Sequence, residues 1–183
     1  PAAPEGPSRK VPFTGELLIE RADFMEDAPK KYFRLKPDGE VRLKYTYIIK
    51  CNEIVKDADG NVVELKCTYD PSTRPGSGEW RSVKGTIHWV SAAHAKEVEL
   101  RLYDKLFTEP EMGSIPEGKD YKEYLNPDSL KVTSGFAEPA LLEDNSGLAV
   151  QFERVGYFFK DLDSTPEHFV FNKTTALKDS FKF

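Results

Sequence analysis

Apolar residues recur at every second position over short stretches that are separated by polar turns. The fullest case is the segment 40–50. Val41, Leu43, Tyr45, Tyr47 and Ile49 would share one face, and Arg42, Lys44, Thr46, Ile48 and Lys50 the other. This spacing predicts a single strand with rings on one side and cations on the other. The segment 97–104 alternates strictly, with Val98, Leu100 and Leu102 expected inward. Further strands are predicted at 15–20, 62–69, 83–90, 130–135, 147–159 and 168–171. Asp57-Ala-Asp-Gly-Asn61 supplies the positive φ of a tight hairpin, so 47–56 should pair with 62–69. The Pro-, Ser- and Gly-rich run 71–78 reads as a loop, and Ser146-Gly147 as a turn. Only 120–125 reads as a short helix, stopped by Asn126-Pro127. Short strands, polar turns and almost no helical periodicity predict an all-β barrel or sandwich.

Composition narrows the class. The chain of 183 residues suits one large or two small domains, and 39% hydrophobic with 31% charged residues is globular. The acidic stretch 109–118, with its Pro and Gly residues, is the best candidate junction between two β units. No apolar run approaches bilayer length and no signal-peptide pattern is present, so no membrane partner is expected. The first residue is Pro, so the chain reads as a piece of a longer polypeptide. Cys51 and Cys67 form no zinc-type pattern; they read as reduced, buried strand thiols and predict a cytoplasmic setting. The net charge of −5 argues against indiscriminate nucleic-acid binding. Its distribution is uneven, however. Residues 30–50 carry seven cations against two acids, and residues 108–147 nine acids against three cations. One basic face on an acidic protein is therefore expected.

Catalytic chemistry finds little purchase. His88, His94 and His168 are the only histidines, and their spacing suggests no metal site. GxSxG, P-loop and GxGxxG motifs are absent from the sequence. The 57–61 run begins like a calcium loop, but its glycine comes too early. Binding is better supported. Single-stranded RNA is read by stacking bases on aromatics or guanidinium planes, while Lys and Arg hold phosphates. The run from Arg42 to Tyr47 offers both residue types, and Arg34 precedes the Pro37-Asp38-Gly39 turn. Gln151 and Arg154 pair an amide with a planar donor fork, the chemistry that reads a base edge. Against this, alternating aromatics are usually core and surface cations are usually solvated.

Ordered motifs shift the balance. Val11-Pro-Phe-Thr-Gly-Glu, Gly39-Glu-Val-Arg-Leu-Lys, Val83-Lys-Gly-Thr-Ile-His-Trp-Val-Ser-Ala-Ala-His-Ala, Leu125-Asn-Pro-Asp-Ser-Leu and Gln151-Phe-Glu-Arg-Val-Gly-Tyr-Phe run in order over nearly the whole chain. Together they resemble the C-terminal anticodon-binding region of glutaminyl-tRNA synthetases, class I enzymes of the Glu/Gln type. The resemblance implies two β-barrels like ribosomal protein L25, one inserted in the other. The distal barrel would span 28–107, and the proximal barrel 1–27 with 108–183. It also implies that Arg34 meets the third anticodon base, Arg42 and Lys44 the first, and Gln151 and Arg154 the middle uridine. Phe33 stands where a family lysine is expected, and Lys44 where an arginine is. His88 and Trp89 are expected to pack or hydrogen-bond between barrels, and His94 to fix a turn.

The implied partners are the anticodon loop of a glutamine tRNA and the N-terminal catalytic domain of the same polypeptide. No cofactor and no catalytic residue is expected in this segment; ATP would serve the full-length enzyme. Glutamyl-tRNA synthetases of archaeal and eukaryotic type share this architecture. A stand-alone L25-like rRNA-binding protein and a purely structural β module are the other readings.

Overall fold

A computed structural model describes residues 9–77, 81–143 and 146–177. Strand is its predominant regular element, as expected, and the described residues fall into two compact units. One is Phe13–Ala93; the other comprises the flanking segments, ending at Pro12 and resuming at His94. Leu17–Leu18 pairs with Val90–Ser91 inside the first, and Lys96–Tyr103 pairs with Leu130–Ala137 and Phe169–Thr175 inside the second. The acidic stretch 109–118 accordingly lies within the second unit, between two paired strands.

In the first unit, β1 (Leu17–Leu18) is short and pairs with β6 (Val90–Ser91). A second sheet has the order β4-β3-β2-β5. Its strands are β2 (Glu40–Leu43), β3 (Ile48–Lys56), β4 (Val62–Asp70) and β5 (Thr86–Ile87). The β3–β4 hairpin closes as predicted. Asp57 Oδ1 accepts from the amides of Asp59 at 3.0 Å and Asn61 at 2.8 Å, and Gly60 takes φ 84°. The expected strand over 83–90 is instead two fragments. β5 runs parallel to β2, while β6 serves β1, so one segment bridges two sheets. The core of this unit includes Phe24, Leu35, Val41, Leu43, Ile49, Cys51, Ile87 and Trp89. Cys51 is buried, but Cys67, its cross-strand partner, is exposed, contrary to the expectation for both thiols.

The second unit is a five-stranded sheet of order β8-β7-β11-β10-β9. Its strands are β7 (Lys96–Tyr103), β8 (Leu130–Ala137), β9 (Val150–Phe152), β10 (Gly156–Lys160) and β11 (Phe169–Thr175). β7 and β11 are parallel; the other neighbours are antiparallel. The alternation at 97–104 holds: Val98 is buried, and Leu100 and Leu102 pack on the same cluster as Phe158 and Phe171. Residues 120–125 form a 3-10 turn at Tyr121–Tyr124, capped by Asp120 accepting from the Lys122 amide at 2.9 Å. The single-turn helix α1 (Pro139–Leu142) was not anticipated. Pro139 at its first position is the only local signal, and one turn is too short for periodicity.

Gly85 shows how closely the first unit is packed. A Cβ there would fall against the Phe33 carbonyl oxygen and 3.0 Å from Val41 Cγ1. Backbone must move to admit it. Gly85→Ala is therefore expected to destabilise by about 3 kcal/mol. A lowered urea midpoint at unchanged m-value would show this; an unchanged midpoint would refute the packing.

Candidate nucleic-acid interface

The segment 40–50 is not one strand. It is β2, a turn and the start of β3; Arg42 lies in β2 and Lys44 in the turn. The Leu43 amide donates to the Tyr47 carbonyl at 2.9 Å and the Thr46 amide to the Leu43 carbonyl at 3.0 Å. Tyr45 sits between them at φ 62°. The two-face reading fails here because Val41, Arg42 and Leu43 are all buried, while Tyr45 is 77% exposed. Turn formation outweighs alternation because a buried cation satisfies the backbone that the turn leaves unpaired.

That cation is Arg42, only 7% exposed. Its Nη1 donates to the carbonyls of Thr46 at 2.8 Å and Thr73 at 2.9 Å, and its Nη2 to the Arg81 carbonyl at 2.9 Å. Burial first, then the neighbouring Arg81 charge, lowers its pKa from the ordinary arginine value. A guanidinium nonetheless remains protonated in proteins, so its donors persist. Thr73 reinforces the link, accepting from the Ile48 amide at 2.9 Å and donating to the Asp70 carbonyl at 2.6 Å. The Arg81 side chain in turn forks onto Glu40 at 2.8 and 2.9 Å and reaches Asp70 at 3.4 Å. Its hydrogen bonds are the chief reason the Glu40 carboxyl titrates below its usual range.

Lys44 is held by its backbone and half-exposed by its side chain. Its amide donates to the Ile87 carbonyl at 2.9 Å, and its carbonyl accepts from Trp89 Nε1 at 3.0 Å. The ammonium lies 5.0 Å from the Tyr45 ring centroid. Trp89 packs edge-on against Phe13, which also meets Tyr47 and Tyr69. Trp89 thus supports this turn from within the unit Phe13–Ala93. Arg34 lies elsewhere in that unit. Its Nη1 is 3.0 Å from Oδ1 of the fully buried Asp23 and donates to the Ala22 carbonyl at 3.2 Å. It therefore neutralises a buried carboxylate as well as facing solvent.

The segment 147–159 also contains a turn that alternation did not reveal. β9 and β10 form a hairpin closed by the Val155 amide donating to the Phe152 carbonyl at 2.9 Å. Arg154 occupies its end at φ 62° and is exposed. Gln151 is exposed on β9, directly opposite Tyr157. Beneath them Phe152 stacks on Phe158 at 4.5 Å and meets Phe171 at 5.5 Å. The structure thus places Arg42 in β2 beneath the turn that carries Lys44, and Gln151 with Arg154 in one hairpin; Arg34 stands apart in the first unit. Sequence reasoning missed the exposure of Tyr45 and the supporting roles of Thr73 and Arg81. No sequence signal marks these, because each depends on a contact between distant segments.

Among the described residues no three His, Cys, Asp or Glu side chains gather as metal ligands, and no helix is long and apolar enough to cross a membrane.

Comparison with known proteins bears on the whole chain. Two family models match it, at residues 1–70 and 86–161, and both carry the description "tRNA synthetases class I (E and Q), anti-codon binding domain". Among curated proteins, the glutamine–tRNA ligase of Nitrobacter hamburgensis is 50% identical over 182 residues, covering 99% of this chain and 32% of the relative. That of Rhodopirellula baltica is 50% identical over 95% of this chain and 29% of the relative. The Escherichia coli O1:K1 enzyme is 50% identical over 99% of this chain and 32% of the relative. The chain thus spans about a third of the length of these relatives.

Replacing Arg42 by Met keeps an apolar stem of similar length but strips three carbonyls of their charged donor. The expected loss of stability is about 3 kcal/mol. Urea titration checks it, and a midpoint within error of the parent would show that the buried guanidinium is dispensable.

Proposed function

Because the chain belongs to the anticodon-binding domains of the class I (E and Q) tRNA synthetases, we propose that it reads the anticodon of a glutamine tRNA for a glutamine–tRNA ligase. The observation that carries glutamine over glutamate is about 50% identity, across nearly the whole chain, to relatives that bear that name. In this reading ATP and glutamine are handled by a catalytic domain outside this segment. The compact units Phe13–Ala93 and its flanking partner serve as the distal and proximal barrels of the family fold.

The division of labour follows the chemistry of each site. Gln151 and Arg154 read the middle uridine, an amide and a guanidinium presented on one hairpin over an aromatic floor. Lys44 contributes to the first base as a mobile point charge, without the planar fork of an arginine. Arg42 serves that same base by holding the turn that displays Lys44. Arg34 addresses the third base from a side chain that is 38% accessible while its inner edge compensates Asp23. Phosphate attraction supplies a salt-sensitive share of affinity, and base contacts supply the discrimination.

Binding of the chain to a glutamine tRNA, and to the same tRNA with its middle anticodon base changed, tests this reading. A cognate preference that survives added salt is expected. Arg154→Ala should erode that preference by about 1–3 kcal/mol, the worth of one base contact. Parent binding that ignores the base change and disappears with salt would overturn the assignment.

A further inference from the structure

Tyr45 combines three properties that folding alone does not explain. It is an aromatic residue in the left-handed region, at φ 62°, where L residues other than Asn, Asp and Gly are disfavoured. Its side chain faces solvent, at 77% exposure, so its position recovers little apolar burial. Its flanks are nevertheless held rigidly. The Lys44 amide and carbonyl are bonded to Ile87 and Trp89, and Thr46 is bonded through its amide to Leu43 and through its carbonyl to the buried Arg42. A strained conformation that the surroundings over-determine, and that aims a large ring at water, is the usual mark of a binding position. The turn presents a flat π surface on a stiff support, with a lysine ammonium 5.0 Å from the ring centroid.

Unpaired bases are captured by this combination of ring and cation. Every base has a π face, and a nearby ammonium attracts the adjoining phosphate. We propose that Tyr45 is a stacking platform for the first anticodon base, a contact that rests on the anticodon reading above. In this arrangement Lys44 holds the edge or the phosphate of the nucleotide and Tyr45 holds its face. The proposal also accounts for a first-base site whose charged group is lysine: with stacking supplied by the ring, a planar guanidinium is not required for that surface.

The test uses the full chain and a glutamine tRNA carrying a fluorescent pyrimidine analogue at the first anticodon position. Tyr45→Phe keeps the ring. Tyr45→Asn removes it while suiting the left-handed conformation, so the variant is expected to unfold at or above the parent temperature. The parent and the Phe variant should quench the analogue and bind with similar affinity. The Asn variant should lose the quenching and bind about tenfold more weakly, as loss of one base-stacking contact predicts. That loss should persist at raised salt, whereas loss of a phosphate contact would shrink. Parent-like quenching and affinity in the Asn variant, alongside a parent that still prefers the cognate middle base, would overturn the platform and leave the anticodon reading standing. A parent with no middle-base preference would overturn both.

Discussion

The guanidinium of Arg42 is the contact on which the first unit's candidate interface depends. It lies beneath the turn between β2 and β3 and donates to carbonyls from three separate segments: the turn itself at Thr46, the 3-10 turn after β4 at Thr73, and the loop before β5 at Arg81. Buried carbonyls without donors are costly, and neutral side chains of this reach cannot serve three of them at once. The presentation of Lys44 and Tyr45 is a consequence of that arrangement. The buried Arg42 is the foundation on which the neighbouring side chains are displayed.

The same economy governs charge. By count, residues 30–50 form a strongly basic stretch. In the fold, Arg34 lies against buried Asp23, Arg42 is enclosed, and Lys50 stands 3.8 Å from Asp38. Much of the apparent field is thereby neutralised or sequestered. In the second unit Arg101 is similarly taken up by Glu99, Asp161 and Asp163. Under the proposed reading such a surface leaves discrimination to a few placed groups. Two hairpin ends each have a non-glycine residue in the left-handed region, Tyr45 in one unit and Arg154 in the other.

Part of this was legible in the chain. The Asp57–Asn61 hairpin followed from turn chemistry, and the inward row of β7 from strict alternation, because both depend on residues a few positions apart. Ordered motifs were enough to identify the family and to draw attention to Arg34, Arg42, Lys44, Gln151 and Arg154. Alternation failed at 40–50 and 147–159, where period-two patterns ran straight across two turns. Neither turn has a glycine or proline at its left-handed position, so the usual punctuation was missing.

What the sequence determined by itself was local: the β class, the clearest hairpin and the inward faces of regular strands. Tertiary structure decided the rest. It broke two apparent strands into hairpins, divided the units at 12/13 and 93/94, buried Arg42 and turned Tyr45 to solvent. The reason is physical. A side chain's role at a turn depends on which distant carbonyls need its donors, and Thr73, Arg81 and Trp89 reach the 44–47 turn only once the sheet has formed.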